Sequence, residues 1–336
     1  MISFAFFIAS YLIVNRYYAA MQEDILLMVL VRIYKAFFFG AAVLSIYITK
    51  RLVIERPKTS PLLYCYHILR DDVFSPDNIW RIVFAVLGLA VVISSFLTVK
   101  ASIPQIIPFT YDAAFEALDR KLHFGHQPWE LLQPLLGYEW ITLAIHRAYY
   151  FWFPAIFLTY YWQAGTREDK VLRMQFLLSF LCCWIVLGSF AATMLSSAGP
   201  IYFDRVVTGS PETYKPAMQY LQSIHERHEL YMFQIKEYLW QFYQHPIEDG
   251  AIKGISAMPS MHVSIAFLMA LFGARKGLLF GVCYGVFALL IVLGSVHLLW
   301  HYAIDGYVSI LGTGLIWLVC GKISRSIYAR SNTQTA

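Results

Sequence analysis

The sequence predicts an all-α fold, a polytopic membrane helix bundle of about eight spans. Hydrophobic residues make up 59% of the 336 positions, and charged residues make up only 14%. Several apolar stretches reach about 20 residues, which is the length that crosses a bilayer as a helix. Lys and Arg residues cluster between these stretches, as they do in cytoplasmic loops. We therefore expect an integral membrane protein.

The predicted spans follow one another along the chain and alternate in direction. They fall near 2–20, 25–48, 82–99, 140–162, 171–195, 258–273, 278–298 and 302–321. The start of the chain lacks a basic region, so it is predicted to be a first span and not a cleaved signal peptide. Basic residues follow the second, fourth, sixth and eighth spans, which places every basic cluster on one side. That side is predicted to be cytoplasmic, with both chain ends on it.

Three regions are expected. Residues 1–81 hold two N-terminal spans and a connector, either an amphipathic helix on the membrane surface or an ordinary packed segment. Residues 82–322 form the main membrane domain, and residues 323–336 form a cytoplasmic tail. The main domain has two outer loops, 100–139 and 196–253. The first is expected to contain a half-inserted helix that shapes a lipid entrance. In the second, a helical stretch of about 217–244 is expected to form a lid or a wall of the headgroup pocket over the site.

Composition also bounds the partners. The net charge of +5 fits basic cytoplasmic loops and requires no nucleic-acid partner. The five cysteines lie mostly in apolar segments, at spacings that suit neither a zinc site nor a disulfide framework. No cofactor is expected. The partners that composition predicts are therefore the membrane and its lipids.

Two short segments carry polar residues at the ends of an apolar hairpin. We call residues 254–262 the first island and residues 295–305 the second island. In the second, His301 and Asp305 are four residues apart, which puts them on one face of a helix. The carboxylate can accept the proton of one imidazole nitrogen and leave the other nitrogen free to attack. In the first, Pro259 is expected at the first helical position, with Ser260 and His262 just inside. Such a helix N-terminus attracts anions, and His262 can protonate a leaving oxygen.

The pattern Pro-Ser-x-His followed by His-x-x-x-Asp resembles the type 2 phosphatidic acid phosphatase superfamily. The run from His301 to Asp305 is most similar to the inositol phosphorylceramide synthase and sphingomyelin synthase branch. The resemblance implies a six-helix core, a phosphoryl-accepting nucleophile at His301, an orienting partner at Asp305 and a proton donor at His262. The segment 119–128 also resembles one common in this branch, without any chemistry that the sequence assigns to it.

The residue that holds the phosphate is not given by the pattern. The Arg usually found in the superfamily six residues before the nucleophile is missing here, where the chain has Ser295, and the lipid-synthase branch lacks it too. This branch has a turn with proline, aromatic and basic residues just before the outer loop, and Arg205 lies in the matching place. A guanidinium fork matches phosphate oxygens, so Arg205 is the first candidate, with Tyr202 beside it. Arg147 is the second-rank candidate, because an Arg inside an apolar segment must face protein or an anion.

The resemblance implies an enzyme that moves a phosphoryl group or phospho-headgroup from a phosphorylated lipid to water or an alcohol, through a phosphohistidine and without a metal. Two alternatives stay open. His297, His301 and Asp305 share one face of a continuous helix and could hold a metal in a hydrolase. A lipid transporter could also have kept the fold without catalysis. The site is expected on the outer side, periplasmic in a bacterial inner membrane or lumenal in a eukaryote.

Overall fold

The computed structural model describes residues 2–17, 22–209, 212–245 and 254–334, and no strand occurs among them. The predicted all-α class is therefore confirmed. Two long helices open the chain, α1 (Ile2–Tyr17) and α2 (Gln22–Glu55). They pack against the fourth helix, α4 (Pro76–Ile106), and α2 also contacts α7 (Glu139–Gly165). The N-terminal spans thus lie against the main bundle.

The predicted connector is helical and is tied to the bundle by polar contacts. It contains α3 (Pro61–His67) and a π-helical segment, Ile68–Val73. The side chain of Arg51 lies 2.9 Å from Asp72, and Arg167 donates to the carbonyl of Asp71 at 3.0 Å. Leu62 remains 84% exposed, on the kind of face that a membrane-surface helix presents. The connector thus combines features of both alternatives.

The outer connection after α4 contains α5 (Asp112–Leu122) and α6 (Pro128–Leu136). The outward face of α5 is apolar: Leu118 and Leu122 are exposed, and Phe124 in the next turn is 95% exposed. The face packed on the protein carries Phe115 and two carboxylates, those of Asp112 and Asp119. The exposed apolar side chains fit a helix that meets lipid, so the half-inserted helix stays a prediction with a structural basis.

The fifth predicted span contains a change of helix type. It comprises α8 (Lys170–Cys182), the π-helical segment Cys183–Ala191, and α9 (Ala192–Met194). A side chain at Gly188, within the π-helical segment, would approach the Phe96 ring and the Met261 sulfur to about 3 Å. The close packing of this segment against α4 and the first island therefore depends on a small residue.

The second outer loop differs from its prediction. After a short 3₁₀ turn (Pro200–Tyr202) and α10 (Phe203–Val206), it forms α11 (Lys215–His228) and α12 (Tyr231–Gln244). The helical stretch expected over 217–244 is thus divided into two helices. Glu229 adopts a left-handed conformation with φ of 48° and ends α11, because a continuing helix needs right-handed backbone.

The last three helices return both islands to one end of the bundle. α13 (Met261–Lys276) and α14 (Leu278–His297) form a hairpin at Gly277, and α15 (Ala303–Gln334) follows the second island. Helix α15 continues without interruption into the predicted tail. At the opposite end of the bundle, Lys276 pairs with Glu168, near the connector contacts of Arg167. The basic loops therefore gather at one end, away from the islands.

Five described helices are long and apolar enough to cross a membrane. They cover Val29–Glu55, Pro76–Ile106, Lys170–Met194, Leu278–His297 and Ala303–Arg330. The three remaining predicted spans coincide with α1, α7 and α13. Helices α1 and α13 have only 16 residues each, and α7 is rich in tyrosine and tryptophan. The protein is an integral membrane helix bundle.

Candidate active site

The two islands meet at His301. Helix α14 ends at His297, and a turn places His301 just before α15. The Nδ1 atom of His301 lies 2.8 Å from the carbonyl oxygen of Ala257 and 3.2 Å from Oδ2 of Asp305. A carbonyl oxygen only accepts, so we assign the proton to Nδ1 and the lone pair to Nε2. The free nitrogen is the one that a nucleophile needs.

Asp305 is fully buried and is held by the loop that it orients. Its Oδ2 atom also accepts a hydrogen bond from the backbone N–H of Tyr302 at 3.1 Å. Its Oδ1 atom has no hydrogen-bond partner among the residues that the structure describes. The predicted pairing of His301 with Asp305 is therefore present, with Ala257 as a second acceptor that the spacing did not reveal.

His262 faces this pair from the first turn of α13. Its ring centroid lies 6.2 Å from that of His301. Tyr149 stacks on the His262 ring at 4.3 Å, and Trp152 contacts it at the same centroid distance. Within the described ranges, no side chain or carbonyl is hydrogen-bonded to its ring nitrogens. The aromatic walls thus orient the imidazole and leave its nitrogens open to a ligand.

The start of α13 differs from the prediction. Pro259 does not occupy the first helical position, because the helix begins at Met261 and Ser260 is its N-cap. The Ser260 hydroxyl accepts the N–H of Val263 at 3.4 Å, and the Ser260 N–H lies 3.5 Å from the carbonyl of Asp305. Ser260 is completely buried. It therefore joins the two islands through its backbone and caps the helix with its side chain.

A third segment joins the islands, and we call residues 196–201 the central turn. The N–H of Ala257 donates to the carbonyl of Ser197 at 2.9 Å, and the N–H of Ile201 donates to that of Leu299 at 2.9 Å. Gly199 has φ of +94°, and a Cβ there would lie 2.8 Å from the carbonyl oxygen of Trp300. The central turn thus contacts the residue on the N-terminal side of His301.

Lys100 supplies a positive charge that the sequence analysis overlooked. It lies near the C-terminal end of α4, and a Cβ on Gly254 would meet its carbonyl oxygen at 2.3 Å. The first island therefore packs directly on the Lys100 backbone. No ion pair joins Lys100 to any residue in the described part of the chain. If the predicted orientation holds, Lys100 lies at the outer end of α4, where a lysine runs against the positive-inside trend, and that signal could have identified it.

The electrostatics of His301 reflect burial and this lysine. Burial lowers the pKa of the His301 imidazole to about 3, the Lys100 ammonium acts in the same direction, and the Ala257 carbonyl opposes both. A buried imidazolium beside a cation is unfavourable, so the neutral ring prevails near pH 7. The nucleophilic form is therefore the resting form.

The three predicted phosphate ligands have other partners or lie elsewhere. Tyr202 donates to the carbonyl of Lys236 at 2.9 Å. Arg205 lies 2.6 Å from Glu237 and 5.0 Å from the centre of the Trp240 ring. Arg147 is exposed on α7. No contact between described residues joins any of the three to either histidine.

The geometry assumed for the metal alternative is absent. His297, His301 and Asp305 do not share a continuous helix, because α14 ends before His301. The Nε2 atom of His297 lies 2.8 Å from the hydroxyl oxygen of Thr142. In the described ranges, no three His, Cys, Asp or Glu side chains come together as a metal-binding group.

These features define a class: membrane helix bundles with a buried His–Asp pair facing a second histidine at one end. A family model described as the PAP2 superfamily matches residues 113–319, and the chain belongs to that superfamily. No curated protein and no solved structure matches the chain. Membership indicates an enzyme of the phosphatase and phosphotransferase type that acts on a phosphorylated lipid at a membrane.

Proposed function

We propose that this enzyme transfers a phosphoryl group or phospho-headgroup from a lipid donor to an alcohol or water through a phosphohistidine at His301. An inositol phosphorylceramide synthase-like transferase is the finer form of the proposal. The observation that carries it is the pair of acceptors on Nδ1 of His301, Ala257 and Asp305, which leaves Nε2 with its lone pair.

In the first step, Nε2 of His301 forms a bond to phosphorus, and the bond from phosphorus to the leaving oxygen breaks. The electron pair goes to that oxygen, which takes a proton from His262, whose imidazolium form the negative charge of the bound phosphate stabilises. In the second step, the acceptor hydroxyl gives its proton to neutral His262 and its oxygen bonds to phosphorus. The N–P bond then breaks, and its electron pair returns to Nε2.

Charge neutralisation supports this sequence. Phosphoryl transfer depends mainly on positioning and on cations near the phosphate oxygens. Lys100 has no ion-pair partner among the described residues and lies close enough to His301 to shift its pKa. We assign Lys100 the contact to the phosphate. Asp305 holds the His301 tautomer and stabilises the positive charge that forms on the ring during attack.

The test is a phosphohistidine trap on the full chain in lipid nanodiscs. Phosphatidic acid and phosphatidylinositol, each radiolabelled at phosphorus, are offered separately, and the reaction is quenched without acid. We expect label on His301 with at least one donor, and none in His301→Ala. His262→Ala should slow transfer by about 10²- to 10⁴-fold, which is the range for loss of a general acid.

The matched control is His126→Ala, which removes an exposed histidine paired with Glu130 at 3.4 Å. It should keep both label and turnover. Label on His262 would reverse the two histidine roles. Turnover without any adduct, restored by zinc after chelation, would favour the metal-dependent hydrolase. Lipid movement without chemistry in wild type and His301→Ala alike would favour the transporter.

A further inference from the structure

Helix α5 carries two carboxylates on its buried face, and the reaction proposed above gives neither a role. Asp112 and Asp119 are each only 1% exposed. They are seven residues apart, two helical turns, and so share one face. Burying a carboxylate is costly unless hydrogen bonds satisfy it. The hydrogen-bond donors to these two carboxylates therefore show which parts of the chain this face of α5 holds in place.

Asp119 holds the start of α15. Its Oδ2 atom accepts the N–H of Ala303 at 2.7 Å, and its Oδ1 atom accepts the N–H of Ile304 at 3.0 Å. Helices commonly satisfy their first N–H groups with a Ser, Thr, Asp or Asn at the N-cap. Here the cap position is Tyr302, directly after His301. The capping carboxylate therefore comes from a helix about 180 residues earlier in the chain.

Asp112 holds the other side of the same loop. It accepts the N–H groups of Ala198 and Gly199, at 2.9 and 2.8 Å, from the central turn. It also accepts the hydroxyl of Tyr302 at 2.8 Å. Because Gly199 lies against the Trp300 carbonyl, Asp112 fixes contacts on both sides of His301.

All of these partners are donors, which suits ionised carboxylates that only accept. Burial raises the pKa of Asp119, and the N–H groups of Ala303 and Ile304 offset part of that rise. The donors are backbone groups at fixed positions, so the contact constrains the path of the chain next to His301. A packing contact would leave that path free to adjust.

We propose that Asp112 and Asp119 are positioning residues that hold the His301 loop so that Nδ1 meets Ala257 and Asp305 while Nε2 faces the phosphorus. The proposal rests on the proposed function for its kinetic part. Its structural part, the orientation of the His301 ring, stands separately. Misplacing a reacting group by about 1 Å can cost about 100-fold in rate.

The first experiment compares Asp119→Asn with Asp169→Asn in the full chain in nanodiscs. An amide at 119 can accept only on its oxygen, so its NH₂ group opposes one of the two N–H donors. Asp169 caps α8 at the far end of the bundle, where it accepts the N–H of Leu172 at 2.9 Å. With dioleoylphosphatidic acid as the probe, kcat should fall about 10- to 100-fold in Asp119→Asn, with KM nearly unchanged. Asp169→Asn should keep its kcat.

The second readout does not need turnover. Mass spectrometry measures the exchange of the C2 hydrogen of each imidazole, and His301 should exchange faster in Asp119→Asn while His262 keeps its rate. If Asp119→Asn does not fold, Tyr302→Phe removes one Asp112 contact and should change both readouts in the same direction. An unchanged kcat, or a lower kcat with unchanged His301 exchange, would overturn the proposal. A wild type without turnover would count against the proposed function, while the exchange rates would still test the positioning.

Discussion

At the scale of single residues, the two candidate phosphate-binding cations, Arg205 and Lys100, differ in the contacts that their side chains already make. Arg205 is engaged by Glu237 and by the Trp240 ring. Lys100 has no ion-pair partner within the described ranges. Its ammonium lies 6.0 Å from the centre of the Phe96 ring, and its backbone packs against the first island. An ammonium binds phosphate as a point charge, so it does not need the planar geometry of a guanidinium. The distinction between the two residues can be measured.

Replacing Lys100 by methionine keeps much of the side-chain volume and removes the charge. We expect Lys100→Met to lower kcat/KM for phosphatidic acid by about 10²-fold, because a charge-assisted hydrogen bond to phosphate is lost. Arg205→Met is the matched comparison and should retain most activity. Steady-state kinetics on both variants decide between the candidates. A larger loss in Arg205→Met would restore the sequence-based assignment and remove Lys100.

The sequence predicted the site residues that are close to each other along the chain. It missed those that reach the site from distant parts of the chain. His301 and Asp305 are four residues apart, and their spacing predicted their contact, although His301 lies in the turn before α15 and not on the helix. The Ala257 carbonyl, by contrast, reaches His301 across 44 positions, and a backbone acceptor leaves no trace in residue identity. Lys100 belongs to the same group, because its role depends on the path of α4.

At the scale of elements, the central turn brings its backbone close to the residue that precedes His301. Gly199 has a positive φ and lies next to a carbonyl oxygen. A side chain there is therefore unfavourable for two reasons, the backbone conformation and the steric contact. Gly125 has a similar φ of +90°, but open space surrounds it. Comparing substitutions at Gly199 and Gly125 therefore separates the effect of backbone strain from the effect of steric contact.

Gly199→Ala should therefore be much worse than Gly125→Ala. A positive φ in a sparsely populated backbone region costs a non-glycine residue about 1–3 kcal/mol, which both variants incur. Only Gly199→Ala also displaces Trp300, the residue before His301. We expect a lower melting temperature for both variants and loss of turnover for Gly199→Ala alone. Thermal unfolding and an activity assay on the same preparations measure this. Equal activity in the two variants would show that the central turn does not control the site.

Hydropathy predicted the long helices because each is a continuous apolar stretch, but it missed changes within helices. The break between α11 and α12 depends on the positive φ of Glu229, a conformation that a glutamate does not predict. The π-helical segment after Cys182 is similar, since Gly188 has a role only through its contacts with Phe96 and Met261. Such local features follow from tertiary packing.

At the scale of the whole molecule, charge sorts along the bundle axis. The basic connectors meet around Asp72 and Glu168 at one end, while the histidines lie at the other. Positive loops favour the cytoplasmic side. We expect the site to face outward.

Cysteine accessibility tests this orientation in intact cells, with a background free of the native cysteines. Glu212→Cys, on the outer loop, should react with an impermeant maleimide. Arg275→Cys, between α13 and α14, should react only after the cells are permeabilised. Labelling Arg275→Cys from outside, with Glu212→Cys protected, would place the site in the cytoplasm.

The contacts of α5 also bear on how the protein is made. Ribosomes release a chain from its N-terminus, so Asp112 and Asp119 emerge roughly 180–190 residues before Tyr302 and Ala303. Until α15 is synthesised, Asp119 lacks the backbone donors of Ala303 and Ile304, and Asp112 lacks the Tyr302 hydroxyl. A chain that stalls after α14 therefore lacks His301 and Asp305, the pair on which the proposed chemistry depends.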